Sequence, residues 1–85
     1  MGLDTVEFVM EVEAESEVVI SNAAASRVDT VGNLTDLVVD LLRADGRPLP
    51  RPEVRARIVA VVRRFVDAPT PLADSVSFVR DLGMA

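Results

Sequence analysis

The chain has no cysteine, histidine, lysine, tryptophan or tyrosine, and only three phenylalanines among its 85 residues. Without cysteine there are no disulfides and no thiolate nucleophiles or metal ligands; without histidine there is no imidazole base and no usual zinc site. Ordinary nucleophile-plus-base chemistry therefore has no side chains to run on, and the chain is read as a non-enzyme with no metal site. The missing lysines leave arginine as the sole cation, nine against 14 acids, for a net charge of −5. That balance, with no aromatic residues interleaving the arginines, argues against nucleic acid as a partner. Long apolar runs are missing too: Val18–Ile20 and Ile58–Val62 fall far short of a bilayer span. The first residues lack a basic start followed by an apolar stretch, and Val6 stands where N-myristoylation requires Ser or Thr. These absences predict a soluble protein with no membrane attachment and a cytoplasmic location.

What is present is aliphatic. With 49% hydrophobic residues in 85, the chain suffices for one small domain with an aliphatic core and not for two. Charge is unevenly spread: residues 1–45 hold ten acids and two arginines, residues 46–85 four acids and seven arginines. The acidic half is the expected docking surface.

Apolar residues recur at helical spacing in LDTVEFVMEVEAE, which predicts a helix over about residues 2–15. Thr5, Phe8, Val9 and Val12 form one stripe; Leu3, Val6 and Met10 form a second beside it. A short apolar linker, VVISN, follows, and Asn22 is placed to cap a brief turn through AAASR. Asp29 or Thr30 can cap a second clear helix whose face is Leu34, Leu37, Val38, Leu41 and Leu42. Gly46 stops it, and GRPLPRP (46–52) reads as a linker because prolines cannot continue a helix. Pro52 opens a third long helix, with Val54, Ile58, Val61, Val62 and Phe65 facing inward and Arg55, Arg57, Arg63 and Arg64 left to solvent. Beyond Pro69 and Pro71 the pattern predicts a long loop with a turn-like anchor at Val76, Phe78, Val79 and Leu82. No strand signal competes, so the class is all-α, three main helices and one short, without internal repeats.

These segments resemble a known family in an unfamiliar order. LDTVEFVMEVEAE, the Ile20-Ser21-Asn22 turn, and Arg27-Val28-Asp29-Thr30-Val31 with the helix after it resemble the second half of bacterial acyl carrier proteins, without a gap to about Val38. Ser21-Asn22 stands where that family has Pro-Asp. The helix from Glu53 to Val66, the loop after it and SFVRDLG at 77–83 resemble the family's first half, whose loop carries Ser-Phe-Val-Glu-Asp-Leu-Gly. The resemblance implies a single acyl-carrier-like four-helix bundle, circularly permuted: 1–45 corresponds to the family's second half, 46–52 joins the old ends, and 53–85 corresponds to the first half. Relocated termini are compatible with such a small domain.

The family carries 4'-phosphopantetheine on the serine of an Asp-Ser-Leu motif. With Leu3 aligned to that leucine, the serine position falls on Gly2 and the aspartate position on Met1; counted from the other end, Ala85 takes the aspartate place. Neither count leaves a hydroxyl, so no cofactor is expected. Two other hydroxyls come near the motif: Ser75 in Ala73-Asp74-Ser75-Val76, and Thr5 in Asp4-Thr5-Val6. Ser16 replaces a phenylalanine usual in the family and removes core volume there.

The first helix has more apolar surface than packing needs, bordered by acids, and rimmed apolar patches mark docking sites. By resemblance, Leu3, Asp4, Val6, Glu7, Met10 and Glu13 would meet the basic surface of a partner enzyme of fatty-acid, polyketide or related metabolism. The expected function is thus a docking module without a phosphopantetheine arm. Two alternatives stay open: a working acyl carrier modified at Ser75 or Thr5, and a homo-oligomeric assembly protein in which exposed termini let helices exchange between copies. A functional reading of Arg55, Arg57, Arg63 and Arg64 has them pair with the acidic helix of a second copy.

Overall fold

A computed structural model of the chain describes residues 3–68 and 71–84, with the side chains of Leu3 and Asp4 outside that description. Among the described residues there are four helices and no strand: α1 (Leu3–Ser16), α2 (Asn22–Ala25), α3 (Val31–Ala44) and α4 (Arg51–Phe65). The molecule is a small all-α bundle with three long helices and one short.

Helix α1 buries Thr5, Phe8, Val12 and Ser16, one residue per turn on a single face. It ends where Glu17 turns left-handed (φ 53°) and the Val18 N–H reaches back to the Glu13 carbonyl at 3.2 Å. This is the helix stop usually built on glycine. In the linker that follows, Val18 and Ile20 are buried and Val19 points out. The cap of α2 is Ser21 rather than Asn22: the Ser21 hydroxyl accepts the Ala24 N–H at 3.1 Å.

Thr30, one of the two expected caps, opens α3. Its hydroxyl accepts the Asn33 N–H while Asn33 Oδ1 accepts the Thr30 N–H. The buried face is Val31, Leu34, Thr35, Val38 and Leu42, with Leu37 and Leu41 half-buried. That face is rotated from the one expected, because Thr35 can be buried at no cost in unmet polarity: its hydroxyl donates to the Val31 carbonyl at 2.8 Å. Gly46 (φ 74°) terminates α3 as expected, the Arg47 and Gly46 N–H groups donating to the Leu42 and Arg43 carbonyls. Helix α4 begins at Arg51, two residues before the expected start, with the Pro50 carbonyl accepting the Glu53 and Val54 N–H groups. It buries Val54, Ile58, Val61 and Val62 against α1 and α3.

The segment after α4 returns across the bundle and is pinned in two ways. Leu72, Phe78 and Met84 insert into the core. Its backbone also meets the start of α3: the Phe78 N–H donates to the Asp29 carbonyl, the Val31 N–H to Val76 and the Gly32 N–H to Asp74, all within 3.0 Å. Two N–H groups that helix α3 would leave unpaired are thereby satisfied by loop carbonyls. Gly32 is required there, since a Cβ would lie 2.8 Å from Asp74 Cβ. Of the four expected anchors only Phe78 is fully inserted, with Val76 and Leu82 half-buried and Val79 exposed. The turn at 78–82 directs Val79 outward. Phe8 sits between Phe65, edge-on at 5.8 Å, and Phe78 at 5.0 Å, so α1, α4 and the loop meet in one aromatic contact.

Of the arginines of α4 expected to face solvent, Arg57, Arg63 and Arg64 are exposed and Arg55 is half-buried, and each is also engaged by the same chain. Arg64 bonds Glu15 (2.8 Å) and Glu11 (3.3 Å) on α1, and Arg55 bonds Asp74 (2.7 Å) and the Leu72 carbonyl. Arg57 pairs with Glu53 one turn earlier, and Arg63 donates to the Ala68 carbonyl. Arg51 joins Asp36 of α3 to Asp74 of the loop. The acidic helix is therefore met by arginine of the same chain.

Candidate docking face and apolar cleft

Two features share helix α1. The first is its outward ridge, where Val6 is 41% and Met10 60% exposed. Helical spacing puts Val6, Val9, Met10 and Glu13 in line, one side of the helix away from the core stripe. The acids along it are not equivalent. Glu11 and Glu15 are held by Arg64, and Glu13 is half-buried with its carboxylate accepting the Ile20 N–H at 2.8 Å. Glu7 makes no hydrogen bond or ion pair among the described residues, and its side chain is exposed. Of the six positions expected to dock, Val6 and Met10 share this ridge in the open, Glu7 is exposed to one side of it, and Glu13 is engaged by the backbone. Leu3 and Asp4 lie outside the described side chains, as Gly2 lies outside the described residues.

The second feature is a cleft of about 210 Å³ between α1, the turn after α2, the start of α3 and the loop. Its lining includes Phe8 and Val9 of α1, Val28, Leu34 of α3, and Phe78 with Val79 of the loop, and Thr5 adds a hydroxyl. Spacing along the sequence did not point to it, because its walls come from segments far apart in the chain. Asp29 at the rim is tied into the scaffold: its Oδ1 accepts the Ser77 hydroxyl at 2.8 Å, and the Ser77 oxygen in turn accepts the Arg80 N–H. Ser77 is buried and fastens the loop, so this Ser–Asp pair is a structural tie rather than an exposed nucleophile. No described buried side-chain nitrogen or oxygen lacks a partner. Ser16 is buried but does not line the cleft.

The candidate attachment hydroxyls differ in access. Thr5 is 9% exposed and faces the cleft, whereas Ser75 is exposed on the turn closed by the Val76 N–H and the Ala73 carbonyl. Asp74 beside it is held by Arg55 and Arg51, whose hydrogen bonds keep its carboxyl below the usual aspartate range. Thr5 lies in the first turn of α1 with its side chain buried, and Ser75 lies on a turn of the returning loop; Gly2, which the resemblance aligns with the family's attachment serine, lies outside the described residues. Among the described residues no helix is long and apolar enough to cross a membrane. No protein-family model matches the chain, and no curated protein or solved structure matches it.

Proposed function

We propose that the chain is a docking module of the acyl-carrier kind in permuted order, which binds partner enzymes of fatty-acid, polyketide or related metabolism through α1 and carries no phosphopantetheine arm. The observation that carries this reading is the exposed Val6–Met10 ridge on the most acidic helix, with Glu7 beside it. Val6 and Met10 on that ridge stay exposed while Val9 packs against the core, and an acid-rimmed apolar strip suits a basic partner surface. The order of elements supports it: a long helix, a short one, two long ones and a trailing loop are what the family's halves would give if exchanged. The module performs no chemistry of its own in this reading, and its place is the cytoplasm, where such enzymes work.

Two measurements test it. Intact mass is taken on the protein from its own cells, then after incubation with coenzyme A and a broad-specificity phosphopantetheinyl transferase; an unchanged mass is expected in both. An adduct would overturn the armless reading, and its loss on Ser75→Ala would establish the second one, a working carrier modified at the exposed Ser75. Cross-linking in the native cells tests docking. Wild type is expected to trap an enzyme of acyl metabolism that Met10→Ser with Glu7→Lys no longer traps; equal trapping by both would move the contact off α1.

A further inference from the structure

Arg27 stands apart among the arginines. Every other one faces an acid or a carbonyl of the same chain. The guanidinium of Arg27 has no hydrogen bond or ion pair among the described residues, although its backbone is fixed, the Arg27 N–H donating to the Ala24 carbonyl at 3.1 Å. It borders a separate hollow of about 240 Å³ where the α2 segment meets α3, lined by Ala24, Arg27, Val28, Asn33, Asp36 and Leu37. Asn33 supplies a second donor there, and the cap of α3 decides which way its amide points. Because Asn33 Oδ1 accepts the Thr30 N–H, the oxygen is turned to the backbone and Nδ2 is the half left unused. The remaining polar group, Asp36, has its charge met by Arg51 at 2.8 Å. Half-buried Ala24, Val28 and Leu37 add apolar contact. The hollow thus offers two unused donors, one of them charged, beside aliphatic side chains.

We infer that this hollow binds a carboxylate carried on a short aliphatic group, the carboxylate bridging the Arg27 guanidinium and Asn33 Nδ2 and the aliphatic part lying on Val28 and Leu37. An ionised carboxylate only accepts hydrogen bonds, so it matches donors that nothing else in the fold uses. An ion pair on an exposed arginine is worth little by itself; the amide donor and the apolar contact are what favour such an acid over a bare anion. The site is independent of the docking reading, since its lining residues come from the α2 segment and α3 and not from α1.

The test titrates the full chain with isocaproate, its uncharged amide and acetate, followed by NMR through the methyl signals of Val28, Leu37 and Val79. Isocaproate is expected to shift Leu37 and Val28 saturably, about tenfold more tightly than the amide or better, and more tightly than acetate. Arg27→Gln is expected to weaken binding about tenfold. Asn33→Asp keeps an acceptor for the Thr30 N–H but replaces the donor with a carboxylate, and is expected to abolish binding. Both variants should leave the far-ultraviolet circular dichroism unchanged, and Arg57→Gln, outside the hollow, should leave binding unaltered. A short peptide ending in leucine separates two sources of the same chemistry: tighter binding than isocaproate assigns the hollow to a chain terminus, weaker binding to a free acid. Equal binding of isocaproate and its amide, or full binding by Arg27→Gln, overturns the inference. So does a shift at Val79 without one at Leu37, which would place the acid in the cleft, and so does the lack of any saturable shift at Leu37.

Discussion

Glu17 is the residue at which this chain departs most plainly from what its backbone asks. Its φ of 53° is a conformation in which a Cβ crowds the backbone and glycine does not. Glu17→Gly should therefore stabilise the fold, by about 0.5–1 kcal/mol, even though the Arg47 contact to the Glu17 carboxylate is lost; Arg47 keeps its bond to the Glu17 carbonyl. A higher urea midpoint at unchanged slope would show it. Asp74 makes a second prediction at this scale. Because Arg55 and Arg51 hold its carboxyl below the usual range, the ionised form is favoured by folding. Its contribution is complete above the unfolded aspartate value of about 3.9 and is lost as the pH falls through the lower folded value. Asp74 is half-exposed, so solvent screens the effect. Urea titrations of wild type and Asp74→Asn should differ at neutral pH and converge under acid conditions. A gap that persists unchanged into acid would show that the charge is not what matters there.

Among the elements, the returning loop shows where the stability of irregular structure resides. It has no helix of its own between 71 and 84, yet Phe78 is 3% exposed and in contact with Phe8. Phe78→Ala should cost about 3–5 kcal/mol, a large share of the roughly 5–15 kcal/mol a small domain has in total. Val79→Ala, one residue on and exposed, should change stability by less than about 0.5 kcal/mol. Denaturant melts of the pair check this contrast. The acidic helix offers another test: Arg64→Ala releases Glu11 and Glu15 from their shared partner. Its effect on folding should be small because the pairs are exposed, while binding of a cationic peptide to α1 should become stronger and more sensitive to salt.

At the scale of the whole molecule, the helices were largely legible in the sequence, and so was the exposed half of the ridge. Gly46, Thr30 and Pro52 act within one turn of themselves, and the Phe8–Val12 and Val6–Met10 stripes are separated by periodicity alone. The exchange of Ser21 for Asn22 as the α2 cap is a matter of one residue between two good caps. The rest depends on pairings that no local spacing encodes. Arg64 meets Glu11 and Glu15 from about fifty positions away, and Ser77 meets Asp29 from 48. The cleft is equally remote in origin, since Val28 and Val79 approach only when the loop closes. Thr35 does not stand out in the apolar pattern because a hydroxyl reads as polar, while in the fold the Val31 carbonyl of its own helix accepts it.

The chain of rings through Phe8 also determines how this protein can be watched. With neither tyrosine nor tryptophan present, all aromatic signal comes from three phenylalanines, each in a different segment, and Phe65 and Phe78 both contact the ring of Phe8. Ordinary intrinsic fluorescence is thus weak, and near-ultraviolet circular dichroism takes its place. The phenylalanine fine structure should report assembly of α1, α4 and the loop together, and vanish when that packing loosens while far-ultraviolet helicity persists.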